Sequence, residues 1–229
     1  MKNVVFTLLT IVGMLTIVVA QPTTQQGNKL VGGGAVGAAA QGGSVSLSAD
    51  GNTAIVGGSG DSSGVGAAWV YTQNSSGIWA QQGNKLVGGG AVGTARQGGS
   101  VSISSDGNTA IVGGENDNYG VGAVWVYTRT GGIWSQQGNK LVGSGAVGYA
   151  PHQGRSVSIS SDGNTAIVGV ANDNNGVGAA WIYTRNGNGI WSQQGNKLVG
   201  SGAVGNANQG NSVSISADGQ TAIVGGYSD

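Results

Sequence analysis

Nine acidic residues carry all the side-chain negative charge of this 229-residue chain, and their spacing limits the chemistry they could perform. Asp50, Asp106, Asp162 and Asp218 recur every 56 residues, each followed by glycine. Asp61, Asp117, Asp173 and Asp229 recur at the same interval, and only Glu115 stands outside both series. A catalytic carboxylate pair needs two unlike environments, one raising a pKa and one leaving its partner ionised. Acids repeated in two periodic sets offer one environment per set, so they read as turn residues bonding nearby backbone. The segments GENDNYG and VANDNNG are rich in side-chain oxygens, which makes Asp117 and Asp173 weak candidates for a calcium ligand. His152 is the one histidine and cannot build a metal site alone. Cysteine is absent, which excludes thiol chemistry, and no G-x-S-x-G turn presents a serine nucleophile. The chain is therefore read as non-enzymatic and without a cofactor.

These residues are positioned by an internal repeat. QQGNKLVG begins at Gln25, Gln81, Gln136 and Gln193, in steps of 56, 55 and 57 residues. SVS(L/I)S begins at Ser44, Ser100, Ser156 and Ser212, and TAIVG at Thr53, Thr109, Thr165 and Thr221. A repeat of this length suits a propeller blade. Each unit reads as four strands. Ser44–Ser48 alternates polar and apolar, Asp50-Gly51 makes a hairpin, and Thr53–Gly57 is a continuous apolar run. Ala67–Thr72 carries Trp69 and Tyr71, and a fourth strand runs from Ile78 to about Leu86. Two tryptophans per full unit account for all six in the chain and read as packing between stacked sheets. The expected fold is all-β, a β-propeller of four-stranded antiparallel blades forming an incomplete arc. Full units are expected at about 44–99, 100–155 and 156–211, with partial strands at 25–34 and 212–229.

In such a blade the strand 2–3 loop and the connection to the next blade open on one rim. There the units differ: the connections read AAAQGG, TARQGG, YAPHQGR and NANQGN. Arg96, Tyr149, His152 and Arg155 fall within them, and Tyr119 lies in a neighbouring strand 2–3 loop. A few distinctive side chains on a rigid scaffold are what recognition requires. These five are the candidate ligand-binding residues, and the expected partner is an extracellular protein or glycan. A structural scaffold without a defined ligand is the alternative, and an enzyme acting on extracellular polysaccharide the third reading.

Composition narrows the setting. Net charge is zero and 8% of residues are charged, so no basic surface for nucleic acid is present. Glycine contributes 48 residues at fixed places beside Ile, Val and Trp, as turns and close contacts require. Residues 1–20 combine Lys2 with an apolar run to Ala20 and read as a cleaved signal peptide, with an uncleaved membrane anchor as the alternative. The mature chain, 21–229, is then secreted. Asn74-Ser75-Ser76 is a glycosylation sequon in a predicted turn.

The strings QGGSVSLSADGNTAIVGG, GVGAAWVYT and GIWAQQGNKLVG, repeated through Gln25–Asp229, resemble the FG-GAP repeats of integrin α-subunit propellers. The resemblance implies an extracellular propeller. Two departures qualify it. Gln41, Gln97, Gln153 and Gln209 stand where the motif has phenylalanine. The first hairpin is too short for the family's calcium loop: one carboxylate in a tight turn cannot supply six to eight oxygens. The calcium role is therefore not expected at Asp50, Asp106, Asp162 or Asp218.

Overall fold

Alternation and turn chemistry produce the expected strands, in the computed structural model that describes residues 25–228. The expected signal segment and Asp229 lie outside the described residues. The first sheet comprises β1 (Ser44–Leu47), β2 (Thr53–Gly58), β3 (Ala67–Gln73) and β4 (Trp79–Gln81), antiparallel in that order. The second comprises β5 (Ser100–Ile103), β6 (Thr109–Gly114), β7 (Ala123–Thr130) and β8 (Ile133–Gln136). The third comprises β9 (Ser156–Ile159), β10 (Thr165–Val170), β11 (Ala179–Arg185) and β12 (Trp191–Gln193). β13 (Ser212–Ile215) and β14 (Ala222–Gly225) form a two-stranded fourth sheet. First strands of successive sheets lie side by side, β1 by β5, β5 by β9 and β9 by β13, so they ring an axis. The fold is an arc of a β-propeller.

Register divides each sheet into two faces. In the first sheet Ile55 pairs with Val70 and Val56 with Trp69, so Ile55, Ala68 and Val70 share one face and Trp69 and Tyr71 the other. Ile55, Ala68 and Val70 pack against Val101, Ile103, Trp125 and Tyr127 of the next sheet. Ile111 and Val124 repeat that contact with Ile159, Trp181 and Tyr183. The tryptophans of the third strands are fully buried. Each indole N–H donates to a carbonyl of the incoming segment: Trp69 to Gly33 at 2.9 Å, Trp125 to Gly89 at 2.9 Å, Trp181 to Ser144 at 2.8 Å. A Cβ on Gly88 would stand 2.1 Å from the Trp125 ring, and one on Gly114 2.7 Å from its far edge. Glycine is required there because the indole occupies the space of a side chain. The fourth sheet lacks that tryptophan among the described residues. A cavity of about 600 Å³ lies beside Gly200 and Gly226 instead.

The structure adjusts two expectations and details a third. The fourth strands are shorter than Ile78 to Leu86: the strand ends at Gln81, one further bond runs from Gln82 N–H to Val70 O at 2.8 Å, and the chain pairs again through a bridge between Leu86 and Ala68. The Gln81 carboxamide donates to Gly83 O at 2.8 Å and holds the break. The partial strand expected over 25–34 is not one, because no third strand stands beside it among the described residues. Residues 26–31 instead line a cavity of about 380 Å³ together with Tyr71 and Trp79. The strand 2–3 loops contain a single tight turn whose central residues are left-handed: Ser62 and Ser63, Asn118 and Tyr119, Asn174 and Asn175 all have φ between 49° and 58°. A right-handed helix is thereby excluded at these turns.

The glutamine that recurs ahead of each first strand has a specific role. Gln97, fully buried, accepts the Gly88 N–H at 2.5 Å and donates to the Gly88 carbonyl at 3.1 Å. Gln41, Gln153 and Gln209 make the same pair of bonds to Gly32, Gly143 and Gly200. Each carboxamide pairs both the N–H and the C=O of one glycine, in buried surroundings at Gln97 and Gln153, where an aromatic ring would leave those groups unpaired.

Candidate functional site

The connection between sheets enters each first strand through a residue with positive φ: Ala40, Arg96, His152 and Asn208, at 54° to 61°. The backbone fixes this conformation. The Arg96 and Gln97 N–H groups donate to Gly64 O and Val65 O, and a parallel bridge joins Gly66 to Gln97. Non-glycine residues held in this region are uncommon, and such strain gathers at functional sites. Its effect is to hold this position against the strand 2–3 loop, as the His152 N–H to Gly120 O and Asn208 N–H to Gly176 O bonds repeat.

Three of the five expected ligand residues meet there. Arg96, His152 and Arg155 line one cavity of about 290 Å³, together with Glu115, Ala171, Asn172, Asn211 and Tyr227. Glu115, the acid outside both periodic series, is the centre of the cluster. Arg155 Nη1 donates to its Oε2 at 2.8 Å, and Arg96 Nη1 lies 3.8 Å from its Oε1. His152 Nδ1 is 3.0 Å from the Glu115 carbonyl oxygen, so that nitrogen carries the proton and donates. The Glu115 bond and charge hold the Arg155 guanidinium more firmly protonated than usual, and Tyr227 adds to this. Both guanidinium groups remain about half exposed, at 58% and 50%.

Tyr119 and Tyr149 stay outside this cavity. They are 75% and 90% exposed on the same rim. Gly120, next to Tyr119, approaches His152 and Ala150, so the two tyrosines flank the cluster without entering it. Tyr227 and Asn211 were not legible as site residues. They flank the two strands of the fourth sheet, Asn211 just before β13 and Tyr227 just after β14, at positions equivalent to Arg155 and Glu115, and that equivalence is the signal that points to them. Asn74 is exposed on the opposite rim, its amide oxygen accepting the Ser76 and Ile78 N–H groups at 3.0 and 2.9 Å.

The carboxylates of the weak metal candidates already hold partners within the chain. Asp117 Oδ1 accepts the Val92 N–H at 2.7 Å, and its Oδ2 pairs with the Lys140 ammonium. Asp173 does the same with Val147 N–H at 2.7 Å and Lys197 at 2.5 Å. Asp61 bonds Val36 N–H at 2.8 Å and Lys85 at 2.5 Å. A lysine ammonium stands where a cation would sit, and the carboxylates fasten one loop to the next instead of capping their own turns. Burial would raise the Asp61 pKa, but Lys85, the Val36 N–H and the Ser62 hydroxyl hold it below the usual carboxylate value. Among the described residues no three His, Cys, Asp or Glu side chains gather as a metal would need, and no helix is long and apolar enough to cross a membrane.

The hairpin aspartates close their own loops. Asp50 Oδ1 accepts the Ser48 hydroxyl at 2.5 Å and the Asn52 N–H at 3.0 Å, and Ser48 Oγ accepts the Thr53 N–H at 2.9 Å. Asp106, Asp162 and Asp218 repeat the serine and residue i+2 contacts. The serine hydroxyl, then the backbone N–H, lowers the pKa of Asp50, Asp162 and Asp218.

No protein-family profile matches the chain, and no curated protein matches it. Solved structures do resemble it. Saccharomyces cerevisiae Sqt1 aligns at 17% identity and a TM-score of 0.43, over 68% of this chain and 35% of that one. Kuenenia stuttgartiensis hydrazine synthase aligns at 16% identity and a TM-score of 0.50, over 86% of this chain and 45% of that one. The chain thus spans less than half the length of either, and the second likeness supports the propeller fold and nothing about chemistry.

Proposed function

We propose that the chain is a secreted, non-enzymatic binding module of FG-GAP type that takes a saccharide unit of an extracellular glycan in the axial cavity. The observation that carries this reading is the convergence of Arg96, His152 and Arg155 on Glu115. Elsewhere in the repeat the position shared by Arg96 and His152 holds alanine or asparagine, and that of Arg155 holds glycine or asparagine. Guanidinium, carboxylate, imidazole and carboxamide groups bond hydroxyls in fixed directions, and Tyr227 offers an aromatic face to a sugar ring. The volume is near the lower end of small-molecule sites, about 300 Å³, and suits one ring. Catalysis is disfavoured because the single carboxylate is held by two guanidinium groups and the His152 Nδ1–H by a carbonyl. The name of the hydrazine synthase neighbour brings no chemistry at its level of identity.

The exposure of Tyr119 and Tyr149 favours one second reading, a protein ligand spread over the wider rim, since tyrosine is enriched at interface hot spots. A glycan array probed with the wild type and with Arg96→Ala/His152→Ala/Arg155→Ala separates these. Glycan signal lost in the variant supports the axial site. Signal retained in the variant overturns it, and no signal on any glycan favours a protein partner or a scaffold.

A further inference from the structure

Among the described residues, the ion pairs of the axial rim are one to one with a single exception. Asp61 takes Lys85, Asp117 takes Lys140 and Asp173 takes Lys197, each carboxylate buried against its own ammonium. These pairs recur with the repeat and cancel in charge. The unrepeated residues do not cancel: two guanidinium groups, Arg96 and Arg155, face one carboxylate, Glu115. Arg96 leads into β5, Glu115 follows β6 and Arg155 leads into β9, so the imbalance lies within the arc and owes nothing to either end of it.

The carboxylate is shared unequally. Arg155 Nη1 donates to Glu115 Oε2 at 2.8 Å, a hydrogen-bonded ion pair. Arg96 Nη1 stands 3.8 Å from Oε1, beyond hydrogen-bond reach, and Glu115 is the one side chain paired with it among the described residues. The Arg96 backbone is fixed by its positive φ and by its N–H bond to Gly64 O, so the side chain departs from a rigid point. Its guanidinium lines the cavity beside the Asn172 and Asn211 carboxamides and is more than half exposed. Five N–H donors in a planar fork match the oxygens of an oxyacid group, and here that fork is uncommitted.

We propose that the axial cavity selects an acidic sugar, its carboxylate or sulfate group seated on the Arg96 guanidinium while Glu115 keeps Arg155 in place beside it. The inference rests on the saccharide reading above and adds the class of sugar. The ligand's anion supplies the second negative charge that the two guanidinium groups lack. A charge-assisted fork outweighs bonds to a neutral hydroxyl by about tenfold in affinity. Glu115 limits that preference, because its own charge opposes the incoming anion.

The test titrates the full chain by calorimetry with matched neutral and acidic pairs: methyl glucoside and methyl galactoside, their uronides, their 6-sulfates, and sodium sulfate alone. The acidic sugars are expected to bind about tenfold tighter than the neutral ones, and the preference to shrink in about 0.5 M salt. Uronides ahead of 6-sulfates would identify the seated group as a carboxylate, and the reverse order as a sulfate. Arg96→Gln should bring the ratio of acidic to neutral affinity to about one. Glu115→Gln should raise that ratio above the wild-type value, a gain that a merely structural role would not produce. Circular dichroism verifies folding, and should either glutamine variant fail to fold, Arg96→Lys is expected to give an intermediate ratio. Equal affinity for the neutral and acidic members of each pair, or a preference retained in Arg96→Gln, would overturn the inference and leave the saccharide reading standing. Sulfate bound with every sugar silent would overturn the saccharide reading and leave the anion seat. Silence to all the ligands would overturn both.

Discussion

The two rims of the arc are built on the same backbone plan and differ in what their side chains are asked to do. On the hairpin rim successive sheets are laced by main-chain bonds: Ala49 N–H to Ser105 O, Ser105 N–H to Ser161 O and Ser161 N–H to Ala217 O, at 2.9 to 3.0 Å. The Asp-Gly loops there repeat almost unchanged, and their aspartates and the serines two residues before them close local bonds. The axial rim is fastened as thoroughly, by the Asp61, Asp117 and Asp173 carboxylates and the Gln97-type carboxamides. Its unrepeated residues, Arg96, Glu115, His152, Arg155 and Tyr227, sit on top of that fastening. A repeat can vary where the scaffold's bonds are already satisfied by other residues, and the variation then marks where a ligand would be met.

Substitutions can break this division in order of expected size. Asp117→Ala leaves the Lys140 ammonium and the Val92 N–H without their buried partner and should cost about 3 kcal/mol of unfolding free energy by denaturant titration. A loss below about 1 kcal/mol would mean that the axial rim is not held by these pairs. Asp106→Ala removes bonds from the Ser104 hydroxyl and Asn108 N–H and should cost about 1–2 kcal/mol while leaving any ligand affinity unchanged. Reduced affinity in that variant would erase the distinction between the rims.

Acid should act on both rims. The depressed carboxyl groups Asp50, Asp61, Asp162 and Asp218 contribute stability that is present above their unfolded value of 3.8 and lost as pH falls through their lower folded values. The thermal midpoint should hold level from neutral pH to about pH 5 and decline below about pH 4. A decline already complete at pH 5 would point to a different group. Smallest in stability is Arg155→Ala, expected within about 0.5 kcal/mol of wild type because the side chain is half exposed and its ion pair solvated.

The strands and their order were legible because period-2 alternation, apolar runs and Asp-Gly turns are local signals. The loop ion pairs were not read from the loops alone, since Asp61 meets Lys85 24 residues away. Both are periodic, one lysine in each QQGNKLVG and one aspartate in each loop, and that shared period was the available clue. The glutamine staples left no local trace, since Gln97 bonds a peptide nine residues back. Arg96, His152 and Arg155 stood out by breaking the repeat, and Glu115 broke it equally. That the exceptions meet one another follows from the axis, which brings equivalent positions of successive sheets together. Tyr119 and Tyr149 broke the repeat too, yet point outward. Departure from a repeat locates the rim but does not fix side-chain direction.

The division between the rims is tested most directly by amide chemical-shift mapping of the isotope-labelled chain against a panel of neutral and acidic monosaccharides. We predict saturable shifts at Arg96, Glu115, His152, Arg155 and Tyr227, with the hairpin residues Asp50, Asp106, Asp162 and Asp218 unmoved. Shifts centred on the hairpin rim, or an axial cavity silent to every sugar, would contradict the account.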